Sequence, residues 1–158
     1  FNAGKTEFIK AISEIPVVTT ERRLSRDAAP DKPETTVAMD FGRVTIGEHT
    51  FHLFGTPGQE RFDFMWEILS REMDGFVVMV DSADPASFSQ AKRLLRQFQS
   101  YDRVPYVVAA NKQDLPKALK PEEIKDRMGV DAPVVGTVAT TGEGCMEALK
   151  RLIDIIVG

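Results

Sequence analysis

The sequence predicts an α/β protein built on a doubly wound, mostly parallel sheet with helices on both faces. Three runs, residues 75–80, 106–110 and 133–138, are almost wholly apolar, as strands covered on both sides of a parallel sheet must be. Segments with apolar residues at helical spacing separate and follow them, so strands and helices alternate along the chain. Ligands of such sheets bind beyond the carboxyl ends of the strands. The segments 55–59, 111–114 and 139–142 are glycine-rich or polar, and each follows a strand, so they are expected on one rim.

Taken in order, residues 6–15 place Phe8, Ile9, Ala11, Ile12 and Ile15 at helical spacing, and Pro16 is expected to stop that helix. Residues 17–35 have no usable period and read as a long polar loop, of the length that is usually functional or disordered. Residues 36–46 alternate through Val37, Met39, Phe41 and Val44; Gly47-Glu48 is a tight turn, and residues 50–54 return as the second strand of a hairpin. Gly55-Thr56-Pro57-Gly58-Gln59-Glu60-Arg61-Phe62 is a glycine-rich turn entering a helix that runs to about Arg71. After the first buried strand, Asp84 caps a helix reaching about Ser100, with Phe88, Ala91, Leu94, Leu95 and Phe98 on one side. Residues 121–128 form a short helix opened by Pro121, and residues 144–157 a final amphipathic one.

The bulk numbers narrow the classes. A chain of 158 residues, 42% apolar and 28% charged, fits one domain with a real core. A net charge of -4 argues against a nucleic-acid partner, which would need a dense basic face. One cysteine, Cys145, excludes an internal disulfide and fits a reducing compartment, so a cytoplasmic location is expected. Apolar runs fall short of the roughly 20 residues of a membrane span, and Ile155-Ile156-Val157-Gly158 carries no prenylation motif, so no lipid anchor is expected.

The chain opens on Phe1-Asn2-Ala3-Gly4-Lys5-Thr6-Glu7-Phe8, the back half of a phosphate-binding loop running into a helix. Gly4, Lys5 and Thr6 fill the last three positions of Gly-x-x-x-x-Gly-Lys-Ser/Thr. Glycine lets the backbone approach a polyphosphate, lysine supplies a mobile charge for its outer phosphates, the threonine hydroxyl can ligate Mg²⁺, and the helix aims its positive end at the anion. The pattern's first glycine would precede Phe1, so a central strand is expected upstream and the domain is expected to be N-terminally incomplete.

With Gly4-Lys5-Thr6, Thr36, Pro57-Gly58-Gln59, Asn111-Lys112-Gln113-Asp114 and Ala139 in this order, the chain resembles a Ras-like small GTPase over nearly its whole length. The resemblance implies a single G domain over residues 1–158, a P-loop fold with a six-stranded sheet, and a switch that binds Mg²⁺ with GTP or GDP. It implies that the Asp114 carboxylate accepts hydrogen bonds from the guanine N1–H and 2-amino group, that Asn111 ties the base to the phosphate loop, and that the Lys112 stem covers the ring. It places the Ala139 N–H at the guanine O6, Thr140 where relatives have a lysine, and Asn2, Ala3, Gly4, Lys5, Thr6, Glu7 and Gly58 around the phosphates. Lys5, Thr36 and Gln59 take catalytic roles, with Gln59 orienting the attacking water, and Thr6 and Thr36 hold the metal. The switch loops fall at about 17–40 and 55–71.

Three departures stand out. Gly55 occupies the place of an aspartate that normally holds the Mg²⁺ shell through water, a loss that resembles the prokaryotic branch containing the gliding-motility polarity GTPases. Asp40, four residues after Thr36 and on the same side of the strand, is the candidate replacement through water, with an ordinary strand residue as the alternative. Phe1 is bulky where many relatives have a small residue, and no arginine adjoins Thr36, although Arg22, Arg23, Arg26 and Arg61 are near in sequence. Slow intrinsic hydrolysis is therefore expected, accelerated by a protein partner, for which the resemblance suggests the small roadblock type. A GTP-holding module without turnover and a metabolic P-loop kinase are the rival readings.

Overall fold

A left-handed glycine begins the first helix. Residues 4–25, 34–55, 73–101 and 104–158 are described by a computed structural model. Gly4, at φ 100°, leads into α1 (Lys5–Ile12), whose buried stripe is Phe8, Ile9 and Ile12. The helix ends three residues earlier than the apolar spacing suggests, and Ser13 rather than Pro16 ends it. Ser13 is extended (φ -75°, ψ 135°), and its hydroxyl accepts the Arg43 N–H at 3.1 Å and donates to the Ile15 carbonyl at 2.8 Å. A side chain that bonds backbone this way competes with the helix.

Three antiparallel strands come next, β1 (Val18–Ser25), β2 (Glu34–Ile46) and β3 (His49–Gly55), in the order β1-β2-β3. The polar stretch read as a loop over 17–35 is therefore strand over much of its length, pairing from Val18↔Phe41 to Ser25↔Glu34. It lacks an apolar period because it is an edge strand, where charge is tolerated and blunts unwanted pairing. The hairpin between β2 and β3 turns at Gly47 (φ 62°) and closes with Ile46↔His49, as expected.

The second sheet is parallel: β4 (Phe76–Asp81), β5 (Tyr106–Asn111) and β6 (Val134–Gly136), in the order β4-β5-β6. The helix α2 (Pro85–Tyr101) crosses from β4 to β5, and α3 (Pro121–Met128) from β5 to β6; α4 (Cys145–Val157) comes last. The Asp84 carboxylate accepts the Ala86 N–H at 3.1 Å and starts α2, and Gly129 in the left-handed region (φ 64°) closes α3. Expectation and structure agree on these elements to within a residue or two, except that β6 is shorter; Val138 forms an isolated bridge to Glu143 instead. The expected helix after Gln59 lies outside the described residues.

β5 explains why the fold is doubly wound. Val107, Val108, Ala109 and Ala110 are all fully buried. Val107 and Ala109 pack into a core with Phe8, Ile12, Cys145, Leu149 and Leu152 from α1 and α4. Val108 and Ala110 pack into a second core with Phe88, Leu95, Ile124 and Met128 from α2 and α3. Alternate residues of one strand thus feed two cores on opposite faces. Where the sequence reading joins six strands in one sheet, the six among the described residues are hydrogen-bonded as two groups of three, and α1 and α4 pack in the core that also takes Val44 of β2. Every described helix is too short or too polar to cross a membrane.

Candidate nucleotide site

The carboxyl end of β5 opens onto a cleft of about 320 Å³. Its walls are Gly4 and Glu7 from the start of α1, Asn111, Lys112 and Asp114 from the turn after β5, and Ala139 and Thr140 from the loop after β6. Three segments far apart in sequence therefore meet where the alternation of strands and helices places them. That volume is at the small end of what ligand clefts offer.

Asn111 holds the three walls together. It is 3% exposed, and its Oδ1 accepts both the Thr137 hydroxyl and the Ala139 N–H, each at 2.9 Å. Its Nδ2 lies so close to Gly4 that a Cβ there would sit 2.5 Å away, so only glycine fits. Asn111, expected to tie a guanine base to the phosphate loop, thus lies against Gly4 at the start of α1. The Ala139 N–H, assigned from sequence to a guanine O6, is here donated to Asn111, and a base would have to share it.

Lys112 has φ 64°, an uncommon conformation for a residue with a side chain and one that clusters at functional sites. Its ammonium pairs with the Asp81 carboxylate at 3.1 Å, while the other Asp81 oxygen accepts the Ala83 N–H at 2.9 Å. Asp81 stands opposite Asn111 in the parallel register, a neighbour that no motif spacing reveals. Gln113, the unspecified position of Asn-Lys-x-Asp, is a brace. Its Nε2 donates to the Ser82 hydroxyl at 2.8 Å and the Leu119 carbonyl at 2.9 Å, and its N–H to the Thr137 carbonyl at 3.2 Å. Asp114 is left exposed at the cleft wall.

At the other end of the site, the Thr6 hydroxyl donates to an Asp40 carboxylate oxygen at 2.5 Å. Asp40 pairs with Gly55 across β2 and β3, and a Cβ on Gly55 would lie 3.4 Å from the Asp40 Cβ. A carboxylate therefore stands on the cross-strand neighbour of Gly55. Burial pushes the Lys5 ammonium below its ordinary pKa, with the nearby Asp40 carboxylate pulling the other way. Thr36 stands opposite Arg23 in β2, four residues before Asp40. At the usual strand rise the two positions are roughly 13 Å apart along the chain. Asn2, Ala3, Gly58 and Gln59, with Phe1 and Arg61, lie outside the described residues.

A phosphate-loop helix and an Asn-Lys-x-Asp turn on one rim of a doubly wound sheet define a class, the Ras-like P-loop GTPases. Residues 2–156 match the ADP-ribosylation factor family, and the chain belongs to that family of GTP-binding small GTPases. It is 34% identical over 161 residues to ADP-ribosylation factor-like protein 8b of Arabidopsis thaliana, covering 99% of this chain and 81% of that one. It is 29% identical over 168 residues to the mutual gliding-motility protein MglA of Myxococcus xanthus, covering 98% of this chain and 85% of the relative, which agrees with the branch read from Gly55. Among solved structures, the cytosolic domain of the T. maritima FeoB iron transporter in its GMPPNP form aligns with TM-score 0.73 at 22% identity, over 99% of this chain and 61% of that one. That likeness is one of fold.

The Asp81 pair generates a prediction. Asp81→Asn should weaken guanine-nucleotide affinity by about 1 kcal/mol, roughly fivefold, the scale of a half-exposed ion pair. Titration of the single and Asp81→Asn/Lys112→Met double variants checks it: the double variant should lose no more than Lys112→Met alone.

Proposed function

We propose that this chain is one G domain over residues 1–158 acting as a molecular switch, which binds GTP with Mg²⁺, hydrolyses it slowly to GDP and phosphate, and signals through the segments at about 17–40 and 55–71. One observation carries the reading: Gly4 and the Asn111–Asp114 turn border the same cleft, and the buried Asn111 amide locks them together. In this reading a single ligand with an anionic tail and a polar planar head occupies the cleft and touches both segments.

In this reading the Asp114 carboxylate accepts the N1–H and 2-amino protons of guanine. Adenine offers no such pair and would leave the carboxylate unpaired. Lys112, steadied by Asp81, lays its stem on the ring. Lys5 carries a penalty for its burial that a bound polyphosphate would relieve, which makes its charge available where charge builds up during hydrolysis. Gln59 orients the attacking water, and the Gly58 N–H meets the terminal phosphate.

The donor set at Thr6 and Asp40 suits magnesium: two hard oxygen ligands already meet at one point, and Mg²⁺ is ordinarily held by one or two side chains plus phosphates and water. Thr6 and Asp40 would hold the ion, Asp40 through water, and when bound it would neutralise charge on the outer phosphates. Thr36 joins the same ion only if β2 gives up its pairing with β1 ahead of Asp40, and that rearrangement is the switch we assign to the first segment. A protein activator completes the cycle; the resemblance points to the small roadblock type, and the location is cytoplasmic.

Competition between GTP and ATP tests the core of the reading. Wild type should prefer GTP, and Asp114→Ala should lose about 3 kcal/mol of GTP affinity, roughly a hundredfold, with no change toward ATP. Equal binding of the two nucleotides would favour a phosphotransferase instead. Asp40→Ala should flatten the Mg²⁺ dependence of GTP affinity, measured by titration at fixed nucleotide; an unaltered dependence removes Asp40 from the metal site. Single-turnover phosphate release should be slow in wild type and lost in Gln59→Leu, whereas absence of release in both would indicate a binding module without turnover.

A further inference from the structure

Position 55 is short of room as well as of a carboxylate. A Cβ on Gly55 would lie 2.7 Å from the Ile9 Cδ1, well inside carbon–carbon contact distance, and 3.4 Å from the Asp40 Cβ. Ile9 is 6% exposed and belongs to the buried stripe of α1, three residues after Thr6 and so on the same side of the helix. The same side chain reaches β2, where a Cβ on Gly42 would lie 2.8 Å from the Ile9 Cγ2 and 2.8 Å from the Ser13 hydroxyl oxygen. Gly42 and Gly55 are diagonal neighbours on paired strands, and together they make the seat into which Ile9 fits.

The seat sets a spacing that the site uses. The Thr6 hydroxyl on α1 donates to the Asp40 carboxylate on β2, and Asp40 is paired with Gly55. Gly42 follows Asp40 by two residues, on the same face of the strand. Further along that face Val44 packs in the core with Phe8 and Ile12 of α1. A side chain at position 55 must displace buried Ile9 or lift β3 from the helix, and close-packed interiors resist both. β3 is paired to β2 as far as Asp40, so lifting one carries the other. An aspartate at 55 would also set a second carboxylate opposite the first, and like charges facing across paired strands are destabilising.

We propose that Ile9 is a positioning residue for the metal side of the site. Seated on Gly42 and Gly55, it lets α1 and β2 approach closely enough for the Thr6 hydroxyl to meet Asp40, and it fills the room that an acid at position 55 would need. The acid on this side of the site is therefore confined to position 40, and an aspartate placed at 55 is a loss rather than a gain. The proposal rests on the reading in which Asp40 serves Mg²⁺ bound with guanine nucleotide.

The test measures GDP affinity of the full chain with saturating Mg²⁺ and in EDTA, with a melting temperature for each variant. Mg²⁺ should strengthen GDP binding by wild type. Gly55→Ala should cut that enhancement about tenfold, the scale of a lost hydrogen bond to a charged group, and leave the metal-free affinity unchanged. Gly55→Asp should lose at least as much. Ile9→Val deletes only the Cδ1 atom, so Ile9→Val/Gly55→Ala should regain most of the enhancement, with Ile9→Val completing the cycle. If Gly55→Ala fails to fold, the double variant must fold and show the enhancement. The proposal is overturned by full enhancement in Gly55→Ala, by Gly55→Asp that matches or exceeds wild type, by an equal loss with and without Mg²⁺, or by a double variant no better than Gly55→Ala. If Asp40→Ala loses the enhancement while Gly55→Ala keeps it, Ile9 has no such role and the metal reading stands. If Asp40→Ala keeps it, or wild type binds no GDP, the underlying reading fails and the proposal with it.

Discussion

The buried side-chain amide of Asn111 is the contact on which the rest of the site depends. It closes the end of β5 against the residues after β6 through two hydrogen bonds and against α1 through Gly4. A polar group with 3% exposure is stable only when its partners are in place, so the amide forces three segments into one geometry. Removing it would leave the Thr137 hydroxyl and the Ala139 N–H without their acceptor in the core, at a cost of the order of 1–3 kcal/mol for each. The cleft exists because the alternative is an unsatisfied interior.

Around that knot the two cores divide the work. Four small, fully buried residues of β5 let helices press on both faces, with Val107 and Ala109 turned to α1 and α4, and Val108 and Ala110 to α2 and α3. Cys145 belongs to the first of these cores. Burial raises its thiol to about 11, so it is protonated and inert at neutral pH and serves as packing. Gly144 before it is equally constrained: at φ 77°, a Cβ would fall 2.1 Å from the Gly136 carbonyl oxygen. The helix α4 thereby seats directly against the end of β6, close to the loop that carries Ala139 and Thr140.

The parallel half of the molecule was legible in the sequence because burial on both faces writes itself as an unbroken apolar run. The residues at 75–80 and 106–110 could hardly be anything else, and Pro121 and Asp84 mark helix starts by chemistry that is local. β1 was illegible for the converse reason. An edge strand rich in Arg22, Arg23 and Glu21 owes its conformation to backbone pairing with β2, and nothing in its side chains announces that. The motifs located the cleft, but Asp81 and Gln113 escaped them. Asp81 meets Lys112 only through the register of β4 on β5, and Gln113 occupies a position that the motif leaves open.

The Asp40 carboxylate sits on β2, opposite Gly55, and its place beside Thr6 is tied to the hairpin. Side chains along a strand point alternately to opposite faces, so a slip of a single residue between β2 and β3 would rotate this carboxylate away from the Thr6 hydroxyl altogether. An aspartate at position 55 would be anchored independently of how β2 lies. Here the register of the hairpin and the presence of the acid beside Thr6 are one and the same constraint.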